Sequence, residues 1–236
     1  MPNEPSPSGS NPEYNYKRAV GPKRDDRYAF KTVAINRVFN RPLAGLLVRV
    51  LFKTRVTPNQ VTLAAFGLAM AGAYLFFLGR AWSFALGGVL AQVSSIVDCA
   101  DGMLARGRGQ SSEYGASLDL LLDRVDEFFL LAGAILGYYA VSGRTGMLIL
   151  GLLGTAGFFL LTTLFYLIKN YRHDTAQGEA AENRAWLMAL LCVFGVLNRV
   201  DIGIYVLAVS MAASILFVIV IFFRIRPARM EGRPSA

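Results

Sequence analysis

Residues 90–123 read LAQVSSIVDCADGMLARGRGQSSEYGASLDLLLD. One apolar run carries Asp98 and Asp101 near its end, a short polar stretch follows, and a second apolar run carries Asp119 and Asp123 near its start. The first pair is spaced i,i+3 and the second i,i+4, so on helices each pair shares one face. Working outward, apolar blocks recur at about 59–79, 82–105, 115–142, 145–168, 184–198 and 201–223. Crossing a bilayer takes roughly 20 helical residues, which all but the short fifth block supply. Backbone polar groups must be satisfied inside lipid, and long unbroken apolar runs suit helices rather than barrel strands. The expected fold is all-α, a six-transmembrane-helix bundle.

Composition agrees. The 236 residues are 54% hydrophobic and 17% charged, with a mean hydropathy of +0.43; a soluble domain of this length needs more charge to cover its surface. Two cysteines, Cys99 and Cys192, are too few for a disulfide framework and read as packing residues. The formal net charge of +8 raises the question of nucleic acid, but its distribution answers it. Basic residues crowd the stretch from Lys17 to Arg55, the loops near Arg106 and Lys169 to Arg184, and the tail from Arg224. The opposite side holds Arg80, Arg144 and Arg199. This asymmetry predicts a multi-pass protein of the cytoplasmic (inner) membrane with both termini and the site facing the cytoplasm. Basic charge beside a bilayer serves topology and anionic lipid, and no reader motif for nucleic acid accompanies it.

Four segments are expected. Residues 1–27 are polar and read as a disordered cytoplasmic tail. In 28–56, YAFKTVAINRVFNRPLAGLLVRVLFKTRV, apolar residues recur at helical spacing between basic ones. This predicts an N-terminal amphipathic juxtamembrane helix, interrupted at Pro42, lying in the interface or packed on the bundle. Residues 57–225 form the transmembrane domain, and 226–236 a basic C-terminal tail.

Carboxylates inside apolar spans are costly and mark functional sites. Asp98 and Asp101 near the end of one span, and Asp119 and Asp123 near the start of the next, fall at the same depth and converge on one point. Clustered carboxylates need cations, and oxygen ligands on rigid helices suit Mg²⁺ or Mn²⁺. Two such ions would neutralise charge on a phosphate-bearing substrate. Gly102 and Ala105 leave room for a ligand, and Arg106 is placed to grip a phosphate.

Asp98-Cys-Ala-Asp101-Gly102-Met-Leu-Ala105-Arg106, then eight residues to Gly115 and three each to Asp119 and Asp123, resembles the signature of the CDP-alcohol phosphotransferases. The likeness covers about residues 28–225. It implies an integral membrane transferase that moves a phosphoalcohol group, phosphatidyl by default, from a CDP-linked donor to an acceptor hydroxyl. CMP leaves, and the product belongs to phospholipid biosynthesis. The resemblance implies that Asp98 and Asp119 bridge two divalent cations, that Asp101 completes one site and Asp123 the other, and that Asp123 is also the catalytic base. Asn59, Gln60, Val61 and Thr62 of the TPNQVT segment would contact CDP, together with Gly102, Ala105, Arg106 and Ser112. It implies a homodimer as well. The run INRVFNRPLAGLLVRVLFKTRVTPNQVT is nearest to the di-myo-inositol-phosphate phosphate synthase branch. That likeness makes CDP-diacylglycerol or a CDP-polyol such as CDP-inositol the candidate donor, and an alcohol such as an inositol phosphate the candidate acceptor.

Lys169, Arg172 and Arg184 flank the loop after the fourth span and either hold an acceptor phosphate or serve topology. Arg124 and Glu127 are i,i+3 neighbours that can neutralise each other, and the lone His173 reads as a solvated loop residue. Against a purely structural ion-pair network stands a shortage of cations: only Arg106, Arg108 and Arg124 are close to the aspartates in sequence. A cation-coupled transporter would show repeats and broken helices, and neither is visible.

Overall fold

The structure, a computed structural model, describes residues 36–171 and 177–224, with side chains for 36, 38–164 and 184–220. The expected N-terminal tail, residues 28–35, the C-terminal tail, and the side chains of Lys169, Arg172 and His173 lie outside the described residues. Among the described residues there is a π-helical turn, Asn36–Asn40, followed by seven α-helices and no strand. We number them α1 (Arg41–Leu51), α2 (Pro58–Phe77), α3 (Ala81–Arg108), α4 (Glu113–Ser142), α5 (Thr145–Tyr171), α6 (Gln177–Val196) and α7 (Val200–Arg224). Each apolar block of the sequence falls on one of α2 to α7.

Among the described residues, four helices are long and apolar enough to cross a membrane: α2, α3, the Thr145–Leu164 part of α5, and the Val200–Val220 part of α7. Outward-facing Val209, Leu216, Leu152 and Leu63 are exposed. Apolar surface on this scale is stable against lipid, not water, and the chain is a membrane protein.

Local chemistry explains the helix ends that frame the site. Thr57 begins α2 with a capping box: the Gln60 backbone N–H donates to Thr57 Oγ1 (3.4 Å), and the Thr57 N–H donates to Gln60 Oε1 (2.9 Å). Pro58 follows at the first helical position, where its missing N–H costs nothing. α3 ends at Gly109, whose left-handed φ of 66° is one that glycine adopts without a Cβ clash. Ser112 then caps α4, its Oγ accepting from the Gly115 N–H at 3.0 Å.

α3 sits at the centre, packed against α1, α2 and α6, while α2 also packs along α4 and α5 pairs with α7. Close approach depends on small residues. A Cβ on Gly137 of α4 would lie 1.9 Å from the Phe76 carbonyl oxygen of α2, so only glycine lets these backbones meet. The main core cluster joins Phe76, Phe84, Leu130, Leu131, Met188 and Ile204. A smaller one joins Ala44 and Val48 of α1 to Ala100 and Met103 of α3, with Cys99 packed against it, as expected for a packing cysteine.

α1 is docked by polar contacts too. Buried Asn40 donates to Ser95 Oγ (3.0 Å) and accepts from Gln92 Nε2 (2.7 Å). The Arg108 guanidinium donates to the carbonyls of Leu51 and Thr54, 2.8 Å each, and of Val56. Arg108 therefore staples the α1–α2 linker to the end of α3.

Candidate active site

The four-residue link between α3 and α4 sets the depth of the aspartates. Asp98 lies ten residues before the end of α3 and Asp123 ten after the start of α4, each roughly 15 Å along its helix at about 1.5 Å per residue. One carboxylate oxygen from each of Asp98, Asp119 and Asp123 falls within 4.8 Å of the others. The spacing predicts four carboxylates at one point; among the described residues these three meet. Asp101 turns to α2, where its Oδ2 accepts from the Thr62 hydroxyl.

The cation count corrects the sequence reading. Arg184, near the middle of α6, enters the cluster from outside the motif. Its Nη1 lies 2.5 Å from Asp98 Oδ2, its Nε 3.1 Å from Asp123 Oδ1, and its Nη2 2.6 Å from Asp126 Oδ2. The neighbours close in sequence are engaged differently. Arg108 serves the α1–α2 linker, and Arg124 pairs with Glu127 at 2.6 Å, as the i,i+3 spacing predicts. The Arg106 guanidinium lies over Gly102, 3.2 Å from where a Cβ would stand.

Asp126 lies a turn beyond Asp123 on α4 and outside the motif. The available signal was its spacing: 119, 123 and 126 follow the i, i+4, i+7 stripe of one helical face. Arg184, expected to hold an acceptor phosphate or serve topology, pairs with aspartates 58 to 86 residues away, a pairing that left no local signal.

The segments singled out for a nucleotide also converge. A Cβ on Gly115 would lie 3.0 Å from Ser112 Oγ and 3.7 Å from Asn59 Oδ1, so the start of α2 abuts the start of α4. Gln60 spends its side chain on the capping box, and Val61 and Thr62 are buried. Ala105 is half-buried, on the turn between Gly102 and Arg108.

Oxygen donors on two helices, with Asp119 Oδ1 buried and without a hydrogen-bond partner, fit a hard divalent cation. An apolar cavity of about 320 Å³ runs between α4, α5, α6 and α7. Leu131, Phe158 and Leu207 line it, with Trp186 and Leu187 two and three residues beyond Arg184.

The family model described as CDP-alcohol phosphatidyltransferase matches residues 55–225. A bifunctional IPC transferase and DIPP synthase of Rubrobacter xylanophilus is 43% identical over 103 residues, 44% of this chain and 23% of that protein. An archaetidylinositol phosphate synthase of Pyrococcus horikoshii is 28% identical over 160 residues, 65% of this chain and 77% of that one. The chain thus spans less than a quarter of the first relative's length. Among solved structures, Mycobacterium tuberculosis phosphatidylinositol phosphate synthase with CDP-DAG bound superposes with a TM-score of 0.57. That pair shares 20% identity over 74% of this chain and 89% of the other, a likeness of fold.

Proposed function

Because the chain belongs to the CDP-alcohol phosphatidyltransferase family, we propose that it transfers a phosphoalcohol group from a CDP-linked donor to an acceptor hydroxyl with release of CMP. The observation that carries this is the meeting of Asp98, Asp119 and Asp123 within 4.8 Å, with the Arg106 guanidinium lying over Gly102 on the same helix as Asp98.

Asp98, Asp101, Asp119 and Asp123 would hold two divalent cations, Mg²⁺ or Mn²⁺, which when bound supply charge neutralisation on the diphosphate. Asp123 takes the proton from the acceptor hydroxyl. The acceptor oxygen forms its bond to the β-phosphorus as the bond from that phosphorus to the CMP oxygen breaks. Arg106, over Gly102, binds donor phosphate, with Ala105 keeping the groove open. Asn59, Gln60, Val61, Thr62 and Ser112 place the cytidine end, Gln60 and Val61 by shaping the α2 terminus. Arg184, with Lys169 and Arg172, receives an anionic acceptor.

The donor is by default CDP-diacylglycerol, and the apolar cavity lined by Trp186 and Leu187 supports a donor with an apolar tail. Relatives named as phosphatidylinositol phosphate and archaetidylinositol phosphate synthases support an inositol phosphate as acceptor. The second reading joins CDP-inositol to a polar acceptor, favoured by the 43% identity to the bifunctional enzyme.

The membrane domain (57–225) spans six times, α4 and α6 completing the four long apolar helices. An amphipathic segment (28–56) lies along the cytoplasmic interface, both termini are cytoplasmic, and two copies form a homodimer. Buried Ala44 and Val48 beside exposed Leu46 and Val50 support the two-sided character of α1. Labelled CDP-diacylglycerol and CDP-inositol, each offered with Mg²⁺ or Mn²⁺ and a panel of alcohols, test the reading. CMP release is expected from one of them and is abolished in Asp123→Asn; release retained in that variant removes Asp123 as the base.

A further inference from the structure

Asp126 lies outside the motif, yet its side chain is 2% exposed and that of its partner Arg184 4%. Its Oδ2 accepts from Arg184 Nη2 at 2.6 Å, while Nη1 and Nε of the same guanidinium face Asp98 and Asp123. A guanidinium is a planar fork, so anchoring one nitrogen sets where the others point. Glu127, the neighbouring buried acid, is occupied by Arg124.

We infer that Asp126 is a positioning residue that acts through Arg184, fixing the orientation of the guanidinium so that it presents a fixed cation to an anionic acceptor. The inference rests on the phosphotransfer reading. Asp126 touches no reacting atom in it. Its charge draws Arg184 toward α4 and limits how fully the guanidinium competes for the oxygens of Asp98 and Asp123. Without that anchor the cation pairs more fully with those two carboxylates and loses its orientation.

The full chain in detergent, with Asp126→Ala, Asp126→Asn, Arg184→Ala and the double variant Asp126→Ala/Arg184→Ala, provides the test. Asp126→Ala is expected to lower kcat/KM for a phosphorylated acceptor by about 10–100-fold, the range for removing a supporting contact, mainly through the acceptor KM. Asp126→Asn keeps an oxygen for Nη2 and recovers part of the loss. It also carries the test if the alanine variant does not fold. In the Arg184→Ala background Asp126→Ala adds nothing further, as expected of residues acting as a unit.

Mn²⁺ titrated without substrate supplies a readout independent of turnover. Arg184→Ala removes a competing cation and tightens binding, while Asp126→Ala weakens it. Effects that multiply in the double variant, or Mn²⁺ binding weakened by both single changes, overturn the inference. A parent that releases no CMP from any CDP-alcohol defeats the phosphotransfer reading instead, and the opposed Mn²⁺ shifts still report the Asp126–Arg184 coupling.

Discussion

Arg184→Met removes a cation from the centre of the bundle while keeping most of its side-chain volume. Three carboxylates lose a partner, but not equally. The Asp126 side chain is 2% exposed, against 19% for Asp98 and 18% for Asp123, so water relieves the latter two. Removing one partner of a fully buried pair costs about 3–5 kcal/mol, while solvent-screened pairs contribute about 0–1 kcal/mol. The Asp126 pair therefore dominates. With water reaching part of the cluster, the loss falls at the lower end, about 3 kcal/mol. At about 2–4 °C per kcal/mol for a domain of this size, Tm falls by about 6–12 °C. The assay is thermal unfolding of the detergent-solubilised chain in chelator and then with Mn²⁺. An ion at a hundred times its Kd returns about 2.7 kcal/mol by mass action. The return is larger in the variant at equal Mn²⁺, since in the parent Arg184 competes for Asp98 and Asp123. An unchanged Tm in chelator, or a larger Mn²⁺ gain in the parent, refutes a structural cation among these carboxylates.

Thr62→Val takes the donor from Asp101 Oδ2 and leaves a buried carboxylate oxygen without it. The expected cost is about 1–3 kcal/mol in thermal or denaturant unfolding, and the Leu63→Val change on the exposed side of the same helix serves as a near-neutral control. Gly137→Val forces α2 and α4 apart where a Cβ would already stand 1.9 Å from the Phe76 carbonyl. A loss of about 1–3 kcal/mol, or more, is expected, and CMP release should fall with it because these helices carry Thr62 and Asp123. Arg108→Ala strips a donor from three linker carbonyls, and trypsin should then cut faster at Lys53 or Arg55 than in the parent, as read by mass spectrometry of early fragments.

The helices were readable because hydropathy is a property of neighbours in the chain. The block expected at 82–105 became a helix at Ala81–Arg108, and the block at 145–168 became one at Thr145–Tyr171. Boundaries followed short signals such as the Thr57-Pro58-Asn59-Gln60 box and Gly109. The block expected at 184–198 is the instructive difference. Its helix begins at Gln177, because charged residues such as Glu179 and Glu182 lower hydropathy without breaking helical geometry. Three of the four expected aspartates meet, for the same reason their depth was predictable: a short link between two helices fixes register.

Contacts between distant segments were not readable. Asp98 and Arg184 are 86 residues apart, and hydropathy treats Arg184 as one more basic residue at the edge of an apolar run. Thr62, expected to contact a nucleotide, is bound to Asp101. Arg108, counted among the cations near the aspartates, serves a linker.

Residues 90–123 by themselves determined that two helices carry carboxylates on matching faces at matching depth, since spacing of three and four residues is a local geometric fact. Which carboxylates meet, and which cation joins them, was decided only by packing. Small residues such as Gly137 let α2 approach α4, α6 comes to rest against α3, and the guanidinium of Arg184 is buried where three negative charges lower the cost of placing it there.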